Sequence, residues 1–290
     1  VLGSLNGFVI ARIMQPSMLC AAAWLPLALA LAIRAVKTGS AAIILWLALA
    51  IGIQALCGSP PVLFYTCLGV VVAAFTTASS RCNWRFRFLA GVGGPALGLA
   101  LAAVQLLPTA ALATHAVRAV QSPWTYVTDY SMPPALYLGL ILPNPLGNEA
   151  WGTYRGPPWQ FEYSAYVGTV AAILGVAGAV LGKREGRPLW LVAVLGLFLA
   201  LGRWNPIFHL LQFVPGFAYF RAPARYVVLT AFATAGLVGL ALPNSSSETP
   251  RPRAGARPII LTLGAAWIGA VLLWTLPATK PVSYTHLRAH

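Results

Sequence analysis

The sequence predicts an all-α integral membrane protein, a polytopic bundle of about eight transmembrane helices with interfacial segments on its outer face. Three observations carry that prediction. Of 290 residues, 59% are hydrophobic and only 8% charged, against about 25% charged in a soluble domain, and the mean hydropathy is +0.76. Apolar stretches near spanning length, about 20 residues for a ~30 Å hydrocarbon core, recur along the chain. The connections between them alternate in basic content, as the positive-inside rule requires.

The net charge of +14, from 19 basic and 5 acidic residues, would suit nucleic acid only if the bases formed a stripe interleaved with aromatics. They are scattered between apolar runs instead, so the expected partner is membrane lipid and not nucleic acid. Cys20, Cys57, Cys67 and Cys82 form no CxxC pair and no Cys/His cluster, which indicates neither zinc nor a disulfide framework. No phosphate loop, dinucleotide fingerprint, HExxH or nucleophile elbow is present. The chain starts at Val1 without a signal-peptide n-region and reads as a piece of a longer protein, with residues 1–282 forming a partial multi-pass domain. The end, "VSYTHLRAH" (Val282 to His290), is unrelated to the span before it, and 283–290 read as a non-native, adapter-derived tail.

In order, the spans fall near 18–36, 41–57, 61–79, 88–112, 165–182, 188–203, 224–243 and 258–277. The second and sixth are short, as tilted partners would be. Gly94 and Gly98 in the fourth form a GxxxG, which implies close helix packing. One set of connections holds eleven bases: Arg34 and Lys37; Arg81, Arg85 and Arg87; Lys183, Arg184 and Arg187; Arg251, Arg253 and Arg257. The other holds six: Arg12, Arg118, Arg155, Arg203, Arg221 and Arg225. The first set belongs in the cytoplasm. The stretch 243–258 is then a flexible inner loop.

The outer face is the elaborate one. The long connection 114–163 carries Asp129, Glu149 and Glu162, three of the chain's five acids, among many aromatic rings. Its "PPALYLGLILPNPLGN" (Pro133 to Asn148) is too short to span and reads as re-entrant or interfacial. A second such segment lies within 204–223, where Asn205 can cap "NPIFHLLQF" and Pro206 suits the first helical position.

Within "FRAPARYVVL" (Phe220 to Leu229), Arg221 and Arg225 flank the start of an apolar helix. A cation there opposes the helix dipole by about 0.3–1 kcal/mol, but the same site favours a bound phosphate, whose oxygens match guanidinium forks. The two readings are a clamp for a lipid-linked phosphate, or arginines that snorkel to head groups or pair with Asp129 and Glu162. In "AAVQLLPTAALATHAVRA" (Ala102 to Ala119), Gln105 is a polar group in a span beside Pro108, best read as bonding a neighbouring helix. His115 and Arg118 follow on one face at the outer end. Glu162 and Asp129 are the candidate general bases, each more simply a structural partner of an outer arginine. Burial among aromatics would raise the Glu162 pKa. Trp159 and Tyr163 belong to a ring set that is either an interface belt or a sugar-stacking surface.

Taken in order, "AAWLPLALALAIRAV", "LCGSPPVLFYT", "AAVQLLPTAALATHAVRA", "SMPPALYLGLILPNPLGN", "EYSAYVG" and "VPGFAYFRAPARYVVL" resemble the bacterial multi-pass family called YfhO, of the GT-C glycosyltransferase type. The resemblance covers nearly all of 8–245. One departure is "GSPP" where the family has a more polar Gly-His-Pro-Gln turn. It implies a GT-C-like bundle in the bacterial plasma membrane, working on the extracytoplasmic face. There it would transfer a sugar from a polyprenyl-phosphate donor to a cell-wall polymer, such as a teichoic acid, or to a glycolipid acceptor. The resemblance carries across Arg221 and Arg225 in their motif, together with Arg118, as phosphate-binding, and also Gln105 and Glu162 as site residues; Gln105 and, from their places at the outer face, His115, Trp159 and Tyr163 are the substrate-lining candidates. No cofactor is evident. A divalent metal is used in parts of the superfamily, but no ligand cluster here argues for one. In GT-C enzymes the catalytic acid lies in the first outer loop, upstream of anything matched here, so neither Asp129 nor Glu162 takes that role by resemblance. The competing readings are a flippase for a lipid-linked sugar and a non-catalytic envelope assembly factor.

Overall fold

Gly186 backs onto the carbonyl of Gly178: a Cβ on Gly186 would stand 3.1 Å from that oxygen. Eight residues of straight helix would separate them by about 12 Å, so the chain reverses direction between them. This hairpin organises one side of a computed structural model that describes residues 6–114, 124–211, 213–214 and 217–242. Among those residues every regular element is helical and none is a strand.

The helices are α1 (Gly7–Ala11), α2 (Pro16–Thr38), α3 (Ala41–Leu56), α4 (Pro60–Thr76), α5 (Trp84–Phe88), α6 (Gly94–Leu101), α7 (Ala103–Thr114), α8 (Trp124–Val127), α9 (Thr169–Ala200), α10 (Phe208–Leu211) and α11 (Val227–Ala241). A π turn, Leu89–Gly93, joins α5 to α6, and short 3-10 turns fill the long connections. Two helices, Pro16–Thr38 and Pro223–Ala241, are long and apolar enough to cross a membrane, or three if Trp84–Leu101 and Ala103–Leu112 make one bent span. Ala41–Leu56, Pro60–Thr76 and Thr169–Gly182 are apolar but shorter. The expected stretch 258–277 lies outside the described residues, as do the loop before it and the tail 283–290.

α2 packs on α3 and α4, α4 on α9, and both arms of α9 on α11. Glycines set these approaches. A Cβ on Gly175 would meet Thr234, and one on Gly196 would meet Thr230 and the Tyr226 carbonyl. The two expected spans 165–182 and 188–203 are thus the arms of one helical hairpin with α11 against both. On the other side, a Cβ on Gly98 would lie 2.6 Å from the Ala48 carbonyl, so α3 and α6 touch backbone to backbone.

The expected single span 88–112 is broken. Its halves meet at 80° at Ala102, six residues before Pro108, which sits inside α7. α6 is held by its glycine contact with α3, whereas α7 leaves the bundle with Val104, Leu107 and Leu112 exposed. Gln105 is exposed there too, and the inter-helix hydrogen bond expected of it is absent among the described residues. Gln54 does that work instead: fully buried, it donates to the Ala21 carbonyl and to Thr66 Oγ1, both at 2.8 Å.

The base-rich connections among the described residues meet at one end. A Cβ on Gly39 would stand 3.6 Å from Cys82 Sγ, and Arg34, Lys37, Glu185 and Leu240 line one groove. The long aromatic connection and the segment before α11 occupy the opposite end.

Candidate functional site

At that opposite end two arrangements lie side by side, one sealed and one open. The sealed one centres on Glu162, buried in a 3-10 turn, Gln160–Tyr163. Arg225 holds it with a two-pronged pair, Nε to Oε2 at 2.8 Å and Nη2 to Oε1 at 2.6 Å. Arg12 reaches it from the first connection, Nη2 to Oε2 at 2.8 Å, and also donates to the carbonyls of Phe161 and Glu162. Arg12 is fully buried, with its guanidinium 4.2 Å from the Phe8 ring centroid. Bonds from Gly7 N to the Tyr166 carbonyl seat α1 against this turn.

The cluster therefore holds two guanidiniums and one carboxylate, a net charge of +1 inside the protein. Burial alone would raise the Glu162 pKa, as the sequence leads one to expect. The hydrogen bonds from Arg225 and the charges of Arg12 and Arg225 outweigh burial and hold it below the ordinary carboxylate value. Burial lowers the Arg12 pKa to about 10, with Glu162 opposing, which still leaves it charged at neutral pH. Nε of Arg12 and the hydroxyl of Tyr65 are buried without a hydrogen-bond partner among the described residues.

The open arrangement is a pocket of about 380 Å³ lined by Asp129, Tyr130, Trp159, Tyr163, Arg203 and Trp204, with prolines and Ser131 completing its wall. That volume is within the range of small-ligand sites. Asp129 and Arg203 are half exposed and loosely paired at 3.9 Å. Burial, reinforced by Tyr154 nearby, raises the Tyr163 pKa to about 12, so its hydroxyl stays protonated. Aromatic faces, a carboxylate and a guanidinium around one opening suit a polyhydroxylated ring: its C–H faces stack on aromatics, and its hydroxyls bond the polar groups.

Main-chain ties fix this pocket. Arg203 donates through Nη2 to the Thr128 carbonyl at 3.1 Å and through its own N–H to Ser131 Oγ at 2.9 Å. Ala224 N donates to the Tyr130 carbonyl and Met132 N to the Ala200 carbonyl. On the other wall, Glu149 and Gln160 exchange hydrogen bonds, each main-chain N–H to the other's side chain, which holds the turn after Trp159. Gly202 has a φ of +50°, and a side chain there would strike Ser131 and Pro223.

Backbone strain concentrates here. Among the described residues, four that are not glycine have a left-handed backbone: Tyr130, Asn144, Trp159 and Ala222. Two of them line the pocket, and the third, Ala222, separates Arg221 from Pro223. For bulky residues such as Tyr130 and Trp159, this conformation persists only when the surroundings enforce it, and it clusters at functional sites.

The structure separates Arg221 from Arg225. Arg225 points to Glu162, the pairing that was one of the two sequence readings. Arg221 lies over Tyr126 and Tyr130, 5.2 and 5.7 Å from their centroids, with no carboxylate partner among the described residues. Tyr130 is thus shared between Arg221 and the pocket. Asp129, Trp159 and Tyr163 come together in the pocket, while Gln105 does not join them. His115 and Arg118 lie outside the described residues. Asn205 caps a turn by accepting from Ile207 N at 3.0 Å, and α10 starts only at Phe208. No group of three or more His, Cys, Asp or Glu able to hold a metal occurs among the described residues.

Sequence reasoning passed over Arg12, Arg203, Tyr130 and Trp204. A signal for the arginines existed: with five acids in the chain, Glu162 and Asp129 are scarce partners for any outer arginine withdrawn from water. The left-handed Tyr130 and Trp159 leave no such trace. No protein family, curated protein or solved structure matches the chain.

Proposed function

We propose that the chain is part of an outer-face membrane glycosyltransferase of GT-C type that uses a polyprenyl-phosphate-linked sugar. In this reading the helices belong to a bundle of about eight spans in a bacterial plasma membrane, with the basic connections inside. The observation that carries the reading is the strained pocket, in which Asp129 faces an aromatic wall beside Arg203, with Arg221 behind Tyr130. The ring set acts as a sugar-stacking surface. Arg221 meets the lipid phosphate, and its charge offsets the negative charge that grows on the leaving oxygen. Arg225 orients the segment through Glu162 and does not touch the donor.

Of the two candidate bases, Glu162 already accepts from two guanidiniums, whereas Asp129 is open to the pocket. Asp129 is therefore assigned the acceptor's proton. The acceptor is a cell-wall polymer or glycolipid presented from the outer side.

The test is sugar transfer in vesicles, with polyprenyl-phosphate-sugar and acceptor supplied on the side of the aromatic loops. Transfer that needs Asp129 for kcat supports the assignment. A variant Asp129→Asn that changes KM alone removes Asp129 as base. Movement of lipid-linked sugar across the bilayer without transfer overturns the enzyme reading.

A further inference from the structure

A groove of about 900 Å³ runs between α2 and α11; it shares no lining residue with the aromatic pocket and is independent of the reading above. On α2 its lining residues Leu19, Ala22, Pro26, Leu29, Ile33 and Lys37 recur every three or four positions, which is one helix face. From Leu19 to Lys37 that face extends about 27 Å, close to the ~30 Å of a hydrocarbon core. The facing wall is Leu189, Phe232, Ala235, Gly236 and Leu240. Small residues at Ala22, Ala30, Ala235 and Gly236 leave the space, and the walls are apolar almost throughout.

Charge appears at one end only. Arg34, Lys37 and Glu185 form that rim, and all three are exposed. Two cations against one carboxylate leave the rim with a net single positive charge, at the depth where α2 ends and a head group would lie. A cleft that is apolar along its length and cationic at one end matches a molecule with long hydrocarbon chains and one negative charge at its head. We infer that this groove binds an anionic glycerophospholipid, with its acyl chains along α2 and its phosphate on Arg34 and Lys37.

The choice of lipid follows from the rim. A zwitterionic head offers no net charge to complement it, and a polar soluble ligand finds no partners along the walls. Each Lys or Arg at a membrane surface favours an anionic lipid by about 1 kcal/mol; with Glu185 opposing, one net charge remains and the preference is about fivefold.

Native mass spectrometry of the full chain in detergent tests this, with phosphatidylglycerol or phosphatidylcholine of the same acyl chains as probes. Phosphatidylglycerol should bind about fivefold more tightly. The pair Arg34→Ala with Lys37→Ala should bring the two lipids to near parity. Arg81→Ala with Arg85→Ala, at the same end but outside the groove, should leave the preference intact. Ala30→Phe, which fills the groove, should weaken both lipids. The swap Arg34→Lys with Lys37→Arg keeps both charges and should keep the preference, which separates loss of charge from loss of fold. Equal binding by the parent chain, or a preference that survives the double alanine variant, would overturn the proposal. So would a dimeric mass without lipid, because a second copy would then occupy the groove.

Discussion

Arg225 and Glu162, 63 residues apart in sequence, face each other through two parallel hydrogen bonds of 2.8 and 2.6 Å. This pair, with Arg12 against the same carboxylate, joins α1, the long aromatic connection and the start of α11 at one buried point. Arginine is suited to the position because its planar fork satisfies both carboxylate oxygens at once.

Removing the shared carboxylate should be severe. Glu162→Gln leaves two guanidiniums buried without a counter-charge, and the expected loss is about 3–5 kcal/mol. Thermal unfolding in detergent measures it. Replacing all three residues together, Arg12→Met, Glu162→Leu and Arg225→Met, should recover most of the loss, because no charge is then left buried. A single variant as stable as the parent would show that the cluster does not hold the fold.

Acid should weaken the same point. The Glu162 pKa is depressed in the folded state, so its ionised form contributes stability that is complete above the ordinary carboxylate pKa of about 4.3. That contribution is lost as pH falls through the lower, folded value. The difference in melting temperature between the parent and Glu162→Gln should be constant from pH 7 to about pH 5 and narrow below about pH 4. A difference that stays constant into acid would contradict the depressed pKa.

Two glycines of the bundle should respond oppositely to a single methyl group. A Cβ at Gly98 would stand 2.6 Å from the Ala48 carbonyl and 2.7 Å from Ile51 Cβ, whereas one at Gly239 meets nothing within 4 Å among the described residues. Gly98→Ala should cost about 1–3 kcal/mol by overpacking. Gly239→Ala should be neutral or stabilise by up to about 1 kcal/mol through helix propensity. Parallel melting curves of the two variants check the close approach of α3 and α6.

On the glycosyltransferase proposal, Asp129→Asn should lower kcat for sugar transfer by about 10²- to 10⁴-fold, the usual worth of a positioned base. Its stability should stay within about 0.5 kcal/mol of the parent, because the side chain is half exposed and its ion pair loose. Activity lost together with the fold would mean that the residue is structural.

On the same proposal, Arg221→Ala should weaken use of the lipid-linked donor by about ten- to a hundredfold, the value of a charge-assisted hydrogen bond of about 1.5–3 kcal/mol. Arg221→Lys should recover only part, since an ammonium lacks the planar fork. The stacking of Arg221 on Tyr126 and Tyr130 predicts a similar but smaller effect for Tyr126→Leu. Titration of donor at fixed acceptor separates these from effects on the acid–base step.

Composition and periodicity by themselves determined the helical class, the apolar elements and which connections gather positive charge, because each depends only on neighbours along the chain. The GxxxG at Gly94 and Gly98 is legible for the same reason: spacing alone puts both on one helix face. Tertiary structure decided that Arg225 belongs to Glu162 and Arg221 to two tyrosines, although four positions separate them in sequence. It also decided that Gln54, and not Gln105, is the buried amide, and that Asp129, Trp159 and Tyr163 share a pocket with Arg203. A charge withdrawn from water must find its counter-charge wherever the chain brings one, and that partner is set by the path of the backbone in space, which no local pattern records.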